Sequence, residues 1–383
     1  MDKKKITIIN HEFPPVGGGA SMATKNFAEA LSSEGYNVEV VTSRSKDMKS
    51  EENLDGYKVK RAIGTRKYLY AGRLLEVAIF MLHGMWYFLR SLGEKHERPD
   101  LVLAFFTLPA GFLALFVKKL YKIPYYVFLR GIDVPGFYGG RFSFLNKLLS
   151  PLIRYVWANA DKVVANSQSF KDLALKTYDK KEIHVIPNVI DLESFSPAVA
   201  GTDDHEPKLV FIGRLNKQKG LTFLLEALSL LNKWSIGLHF SLKLIGDGPE
   251  RWSLAQQAKD LDIKRKVSFL GWMDRKSLPL YYKEADIFIT PSLDESFNIT
   301  ILEAMACGLP IIATDLPAHR ELIKNDVNGI LVPPGDAASL AKAIRLLVDH
   351  ADLRHKFGAN NRQKAGDYDS KKLHEYLQDL MTK

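Results

Sequence analysis

The chain has 383 residues, of which 46% are hydrophobic and 25% are charged. This length and composition suit two domains or one large one, and exclude a fibrous or mainly disordered chain. Its 53 Lys and Arg residues outnumber the 44 Asp and Glu residues, which gives a formal net charge of +9. The single cysteine, Cys307, excludes an internal disulfide and a cysteine-cluster metal site, and it favours a reducing compartment.

The excess positive charge is unevenly distributed. Residues 1–200 carry 28 basic and 20 acidic residues, a net charge of +8, whereas residues 201–383 carry 25 and 24, a net charge of +1. We therefore expect the two halves to have different partners.

Neither an export signal nor a membrane span is predicted. The basic start is followed only by the short apolar run 6–9, which is typical of a strand. Residues 101–117 are uncharged, but Pro109 and Gly111 divide them. The run therefore predicts a buried strand, a turn and a helix.

Short apolar runs alternate with longer helical patterns along the first half. Strands are predicted at 6–10, 37–42, 101–105, 125–129, 162–165 and 184–186. The rhythm breaks at 191–207, a predicted interdomain linker, and then resumes with strands at 208–213, 241–248, 266–271, 286–292, 310–314 and 329–333. This order predicts an α/β protein of two doubly wound domains, with the ligand in a central cleft between them.

A cationic loop opens the second half. Gly213, Arg214, Lys219 and Gly220 lie in GRLNKQKG, between a predicted strand and the predicted helix 221–232. Unpaired backbone N–H groups at such a helix start attract an anion, and two cations strengthen that attraction. The alternative is a solvated loop with two ordinary surface charges.

Two carboxylates follow the predicted strand 286–292. Glu295 lies in the turn before a helix, and Glu303 lies eight positions later on its inward side. Carboxylates readily accept hydrogen bonds from pairs of sugar or ribose hydroxyls. Alternatively, Glu295 complements the helix dipole and Glu303 is an exposed charge.

Two segments of the first half are also candidates. Gly17, Gly18 and Gly19 form a loop between the first strand and a helix, where the backbone can approach a phosphorylated ligand; the alternative is a flexible loop. Arg130 and Asp133 follow the strand 125–129 and should emerge at the carboxyl edge of the sheet. A buried structural Arg–Asp pair is the alternative there.

The order of these motifs resembles glycosyltransferase family 4. The resemblance rests on the GGG loop, TLPAGFLALFVKKLYKIPYYVFLRGIDVPGF, VIPNVIDLESFSP, GRLNKQKG, LIGDGP, PSLDESFNITILEAMACGLPIIATD and NGILVPPGD, and it covers nearly the whole chain. It implies a GT-B fold with two Rossmann-like domains. Residues 1–195 would bind the acceptor and residues 207–366 the donor, while a C-terminal helix, 367–383, would pack back on the first domain.

The resemblance also implies an activity. The family transfers a sugar, here as a hexosyltransferase, from a nucleoside diphosphate sugar such as a UDP- or GDP-sugar, with retention of configuration and with no metal or other cofactor. Glu303 would bind the ribose hydroxyls, and Glu295 would face the donor sugar. Backbone amides around Ser296, Phe297 and Asn298 would contact sugar and phosphate.

The remaining implied roles concern the leaving group and the acceptor side. Arg214 and Lys219 would neutralise the diphosphate, and the loop of Gly17, Gly18 and Gly19 would close over it from the other domain. Arg130 and Asp133 would lie on the acceptor or sugar side, although Arg130 stands where many members have histidine. A front-face transfer is favoured, with a Glu295 nucleophile as the weaker alternative. Ser296 and Asn298 replace frequent glycines, and Asn298 tolerates a left-handed backbone.

The basic excess predicts contact with an anionic membrane. Residues 57–98 carry nine Lys or Arg and three Glu, interleaved with Tyr68, Tyr70, Phe80, Trp86, Tyr87 and Phe88, and residues 138–160 add Arg141, Lys147 and Arg154 without an acid. Alternatively, these aromatic residues pack against the sheet. Membrane contact favours a saccharide or lipid-linked acceptor in envelope or exopolysaccharide assembly, at the cytoplasmic face of the cell membrane.

Two other function classes stay open at this point. A GT-B protein can act as a sugar-nucleotide epimerase or a phosphorylase instead of a transferase. A basic protein can also be a non-enzymatic nucleic-acid-binding module, but no recognised nucleic-acid motif is present, so no nucleic-acid partner is expected.

Overall fold

The computed structural model describes residues 3–45, 48–66, 74–137, 141–197, 206–234 and 239–382. It divides into two compact units: Met1–Val189 with Lys371–Lys383, and Ile190–Ser370. The predicted first domain ended at 195, but Ile190 and Phe195 are buried in the core of the second unit. Within the predicted linker 191–207, Leu192 and Phe195 pack on the second unit, so its first residues do not form a free linker; residues 198–205 lie outside the described residues.

The first unit is built on an eight-stranded sheet in the order β3-β4-β2-β1-β5-β6-β7-β8. The strands are β1 (Lys5–Ile9), β2 (Asn37–Ser45), β3 (Glu51–Leu54), β4 (Tyr57–Arg66), β5 (Leu101–Phe105), β6 (Tyr125–Phe128), β7 (Lys162–Ala165) and β8 (Ile183–Val185). All neighbours are parallel except the antiparallel pair β3 and β4. The helices are α1 (Gly19–Ser33), α2 (Leu74–Ser91), α3 (Phe112–Tyr121), α4 (Arg141–Asn159) and α5 (Gln168–Leu175).

The predicted strands of the first half are confirmed to within a few residues. Parallel strands that are covered on both faces read as apolar runs, and β5 is the plainest example. Every residue of β5 is buried. The run 101–117 folds as predicted into strand β5, a turn at Thr107–Gly111 and helix α3. Among the described residues, no helix has the length and apolar content needed to span a membrane.

The second unit is built on a six-stranded parallel sheet in the order β11-β10-β9-β12-β13-β14. Its strands are β9 (Lys208–Ile212), β10 (Ser241–Ile245), β11 (Val267–Gly271), β12 (Ile287–Thr290), β13 (Ile311–Thr314) and β14 (Gly329–Val332). Its helices are α6 (Leu221–Trp234), α7 (Arg251–Asp260), α8 (Leu278–Lys283), α9 (Ile299–Ala306), α10 (Pro317–Leu322), α11 (Ala337–Asp349) and α12 (Ala351–Ala365). In sequence order the strands run 3-2-1-4-5-6, so this unit is doubly wound.

The final helix, α13 (Leu373–Thr382), belongs to the first unit. It packs against α1, and Leu373, Leu377 and Leu380 are buried in the core of that unit. The helix begins six residues later than predicted, because residues 366–368 and 370–372 form two separate 3₁₀ turns.

The sheet of the second unit places the candidate site. Strand order reverses between β9 and β12, which are paired in parallel. The chain therefore continues from these two strands toward opposite faces of the sheet, and doubly wound sheets bind ligands at the carboxyl ends of the strands where this reversal occurs. Residues 213–220 form the loop after β9 and residues 291–298 the loop after β12.

Candidate functional site

The loop after β9 is held in place by backbone contacts. The Gly213 N–H donates to the Ile245 carbonyl at 2.9 Å, and the Leu215 N–H donates to the Asp247 carbonyl at 3.0 Å. Gly220 then adopts a left-handed φ of +62°, and a Cβ atom on it would lie 2.1 Å from the Pro291 carbonyl oxygen. Glycine is required here because the loop after β9 packs directly on the loop after β12.

This packing brings Lys219 and Glu295 together in an ion pair. The same Glu295 Oε1 also accepts from Ser292 Oγ at 2.9 Å and from Asn298 Nδ2 at 3.3 Å. The side chain of Glu295 is 9% exposed. Lys219 is therefore not an isolated surface charge, and Glu295 is held by three donors in the loop that precedes α9.

The residue that caps helix α9 is Asn298. Its Oδ1 accepts from the Thr300 N–H at 3.2 Å at the start of α9, and its Nδ2 also donates to Thr290 Oγ1 at 3.1 Å. Its backbone is extended, with φ −100° and ψ 96°, so the tolerance of asparagine for a left-handed backbone is not used. Asn298 fixes Glu295 relative to α9.

The other predicted donor residues lie around this pair. Ser296 and Phe297 are both buried, and the Phe297 ring packs edge-on against Tyr368. Among the described residues, no acceptor is found for the backbone N–H groups of Phe297 and Asn298. Arg214 is half-buried, and its side chain has no hydrogen-bond or ion-pair partner within the described ranges. A free cation and free amides therefore lie on the two loops.

Glu303 occupies a buried position on α9. Only 1% of it is exposed, so the alternative of an exposed charge is wrong. Its Oε2 accepts from the Tyr282 hydroxyl at 2.8 Å, and its Oε1 lies 2.5 Å from Arg275 Nη1. The second contact is an ion pair without hydrogen-bond alignment, since no aligned donor to Oε1 occurs among the described residues. Burial, followed by the Glu303 charge, raises the pKa of Tyr282.

Arg275 was not predicted from the sequence. It comes from the loop after β11, its guanidinium lies 5.1 Å from the centre of the Phe195 ring, and its side chain is about one-third exposed. It therefore covers Glu303 from the solvent side.

His319 was also missed, although it follows β13 at the same carboxyl edge of the sheet. It is fully buried, and its Nδ1 lies 2.7 Å from the Thr314 carbonyl oxygen, while its Nε2 lies 3.3 Å from Asn298 Nδ2. A carbonyl can only accept, so Nδ1 carries the hydrogen and Nε2 accepts from Asn298. Burial lowers the pKa of His319, and this neutral ring supports the residue that holds Glu295.

In the first unit, the glycine loop precedes α1 directly. Gly17 has a φ of +98°, Gly18 is the residue before the helix and offers no side-chain cap, and Gly19 is the first helical residue. The first N–H groups of α1 consequently have no cap from that position.

Arg130 and Asp133 are both buried in the first unit. Asp133 accepts from the Thr107, Arg130 and Gly131 N–H groups at 2.8, 3.1 and 2.9 Å. The Arg130 guanidinium donates to Asn188 Oδ1 at 2.8 Å and lies 4.7 Å from the Phe105 ring centre. Burial lowers the pKa of Arg130 to about 9, so the side chain stays charged at neutral pH.

Of the four described aromatic residues among those predicted to face a membrane, three are internal. Phe80 and Phe88 are buried in the core, and the Tyr87 hydroxyl donates to Glu39 Oε1 at 2.7 Å. For these three the prediction is wrong, because they pack against the sheet. Trp86 is exposed, whereas Tyr68 and Tyr70 lie outside the described residues, as does Tyr138.

In the ranges that the structure describes, no group of three or more His, Cys, Asp or Glu side chains is placed to hold a metal ion.

Comparison with protein families covers most of the chain. Residues 17–194 match the family described as Glycosyltransferase Family 4, and residues 193–364 match Glycosyl transferases group 1. An uncharacterized glycosyltransferase of Methanocaldococcus jannaschii is 28% identical over 376 residues, which is 94% of this chain and 93% of that protein. Alpha-monoglucosyldiacylglycerol synthase of Streptococcus pneumoniae is 25% identical over 96% of this chain and 84% of that protein.

Solved structures resemble the fold over its full length. Sucrose-phosphate synthase from Thermosynechococcus elongatus has a TM-score of 0.87 and 21% identity, and covers 99% of this chain and 98% of its own. The Anabaena protein HepE, in complex with UDP-glucose, has a TM-score of 0.76 and 19% identity, with 99% of both chains covered. With two Rossmann-like sheets, the fold is GT-B, as the sequence predicted. The chain belongs to the family 4 glycosyltransferases.

Proposed function

We propose that the protein is a retaining, hexosyltransferase-type enzyme that moves a sugar from a UDP- or GDP-sugar to a saccharide or lipid-linked acceptor. The observation that carries this proposal is the cluster of Arg214, Lys219 and Glu295 on the two loops that leave the switch point of the second sheet.

The cluster suits a diphosphate. A departing nucleoside diphosphate gains negative charge in the transition state, and fixed cations and amides that are already in place lower the barrier most. Arg214 is unpaired among the described residues, and Lys219 needs only to turn from Glu295 to reach a phosphate. The N–H groups of Phe297 and Asn298 add donors at the start of α9. These groups would neutralise the diphosphate without a metal ion, so the proposal includes neither a metal nor another cofactor.

Glu303 is suited to the ribose hydroxyls of the donor. A buried carboxylate with an oxygen that lacks an aligned donor gains from a new hydrogen bond. The Arg275 guanidinium contacts that oxygen, so a ribose hydroxyl must either displace Arg275 or bind beside it. We infer that Arg275 holds the Glu303 side chain in position until the nucleotide arrives.

The proposed reaction is a front-face substitution. The bond between the anomeric carbon and the phosphate oxygen breaks, and its electron pair stays on the leaving diphosphate. The acceptor hydroxyl forms the new bond to the same face of the anomeric carbon. Its proton passes to the departing phosphate oxygen, so no protein base is needed.

Glu295 is assigned to orienting the donor sugar. Its Oε1 already accepts from three donors, and each hydrogen bond to a carboxylate reduces its nucleophilicity. This supports an orienting role over a covalent intermediate on Glu295.

The first unit is assigned to the acceptor. Gly17, Gly18 and Gly19 would offer backbone N–H groups to an anion at the start of α1. Arg130 and Asp133 would act on the sugar or acceptor side by fixing the loop that follows β6. A similarity to a diacylglycerol glycolipid synthase supports a lipid-linked acceptor, in envelope or exopolysaccharide assembly at the cytoplasmic face of the membrane.

The test is a ligand screen followed by product analysis. UDP, GDP and ADP, and then their sugars, are added in a thermal-unfolding assay, because a ligand that binds the folded state raises the melting temperature. We expect UDP or GDP to raise it in the wild type and in Glu284→Ala, an exposed carboxylate variant, but not in Glu303→Ala.

Product analysis separates the function classes. Formation of a glycosylated acceptor from the stabilising donor supports the proposal. Conversion of the donor without an acceptor product would favour an epimerase or phosphorylase, and stabilisation by none of the three nucleotides would contradict the proposal.

A further inference from the structure

Helix α2 is apolar around its whole circumference. Its 18 residues include only two with a formal charge at neutral pH, Glu76 and Arg90. Phe80 and Phe88 are buried in the core. On the opposite side Leu82, Trp86 and Leu89 are 67%, 59% and 52% exposed. Spacings of four and three residues place these side chains on one face, where an apolar stripe in water requires a partner.

Exposed apolar side chains also occur on two neighbouring helices. Helix α3 packs between α2 and α4, and the contact with α2 is close at Gly84, where a Cβ atom would lie 2.6 Å from Leu113 Cδ1. Leu120 of α3 is exposed, as are Leu148 and Tyr155 of α4. We call this surface the α2–α4 face; it comprises Leu82, Trp86, Leu89, Leu120, Leu148 and Tyr155.

The face is bordered by positive charge. The three helices contain six Lys or Arg residues and one acidic residue. Exposed Arg90 lies 5.4 Å from the Trp86 ring centre, and exposed Lys119 lies 5.4 Å from the ring centre of Tyr155. Lys147 and Arg154 are exposed on α4.

The positive charge around the α2–α4 face favours one kind of binding partner over another. A symmetric dimer through the α2–α4 face would bring like charges together without acids to compensate them, which disfavours a second copy. An anionic bilayer surface offers acyl chains to the exposed Leu and Trp side chains, and phosphates to the Lys and Arg side chains around them.

We propose that the α2–α4 face inserts its exposed apolar side chains into the surface of an anionic membrane. This surface keeps Trp86 from the aromatic residues predicted from the sequence, and it replaces the internal Phe80, Tyr87 and Phe88 with Leu82 and Leu89. The inference rests on the proposed membrane-associated function for its biological meaning. It is tested by binding alone, so its failure can be distinguished from a failure of sugar transfer.

The experiment is cosedimentation of the full chain with vesicles. One set is made of phosphatidylcholine, and the other also contains phosphatidylglycerol. The variants are Trp86→Ser, Leu82→Ser with Leu89→Ser, and the matched control Trp252→Ser, which removes a 79% exposed tryptophan of the second unit. Thermal unfolding checks that each variant is folded, and hydrogen exchange of the wild type reports whether α2 becomes protected on vesicles.

We expect the wild type and Trp252→Ser to bind the anionic vesicles, with affinity that falls as salt rises. Trp86→Ser should lose about tenfold in affinity and the double leucine variant more, since each removes a membrane-inserted side chain. Absence of wild-type binding, equal binding by Trp86→Ser, or no protection of α2 would overturn the proposal. So would a solution dimer that Trp86→Ser dissociates.

Discussion

The two units use charge in opposite ways. In the second unit, which lies in the nearly neutral half of the sequence, Lys219 pairs with Glu295 and Arg275 with buried Glu303, all on loops and helices at one edge of the sheet. In the first unit, exposed cations such as Arg90 and Lys119 lie on helices next to exposed aromatic side chains. On this account the excess positive charge marks the surface that we propose binds a membrane, whereas the local pairing of a few charges marks the proposed diphosphate site.

The largest loss of turnover is expected when Lys219 of the second unit is replaced. Lys219→Ala removes a charge that would stabilise the departing diphosphate, so turnover should fall about 100- to 1,000-fold. Lys217→Ala, an exposed lysine two residues earlier, is the control and should keep wild-type turnover. Equal rates in both variants would remove Lys219 from the reaction.

A core substitution in the first unit should affect stability and leave nucleotide binding unchanged. Leu377 of α13 is fully buried, so Leu377→Ala should destabilise the protein by about 3 kcal/mol. Urea unfolding measures the change, and calorimetry of the folded variant measures nucleotide affinity. A large loss of nucleotide affinity in this variant would show that the core of the first unit also determines nucleotide binding.

A smaller effect is expected at Gly220. Gly220→Ala places a Cβ atom against the Pro291 carbonyl oxygen and strains a left-handed residue, which should cost about 2 kcal/mol and displace Lys219. Gly366→Ala is the control, because a Cβ atom there meets open space. If Gly220→Ala is as stable and as active as the control, the two loops are not packed as described.

The smallest effect is a pH dependence from His319. Its pKa is lowered in the folded protein, so below about pH 6.5 the unfolded chain binds a proton that the folded chain does not. Stability should therefore fall as pH falls, by up to about 1.4 kcal/mol per pH unit. His319→Gln should reduce this slope in thermal unfolding, and His350→Gln, at an exposed position, should retain it. An unchanged slope in His319→Gln would show that the ring is not held neutral.

Much of the fold could be predicted because its parallel strands are buried on both faces. The ends of strands such as β5 and β7 match the ends of their apolar runs to within one residue. The pair β3 and β4 was missed, because an edge hairpin exposed to solvent alternates charged and apolar residues, as in EENLDGYKVK. The lysines of this segment indicated an exposed surface, so the strand pattern was not recognised from the sequence.

The candidate site could be predicted only in part. Lys219 and Glu295 follow strands that are neighbours at the switch point, so the carboxyl-edge rule brings them together. The same rule applied to β13 would have found His319. Arg275 and Tyr282 gave no such signal, because the loop after β11 and helix α8 reach Glu303 only through tertiary packing.

The central claim is that the switch point of the second sheet binds the nucleoside diphosphate. Hydrogen exchange of the wild type, with and without UDP, GDP or ADP, tests it directly, because binding protects the backbone amides that it covers. We predict that one diphosphate slows exchange within residues 213–220 and 291–303. Protection confined to the first unit, or none with any of the three, would contradict the account.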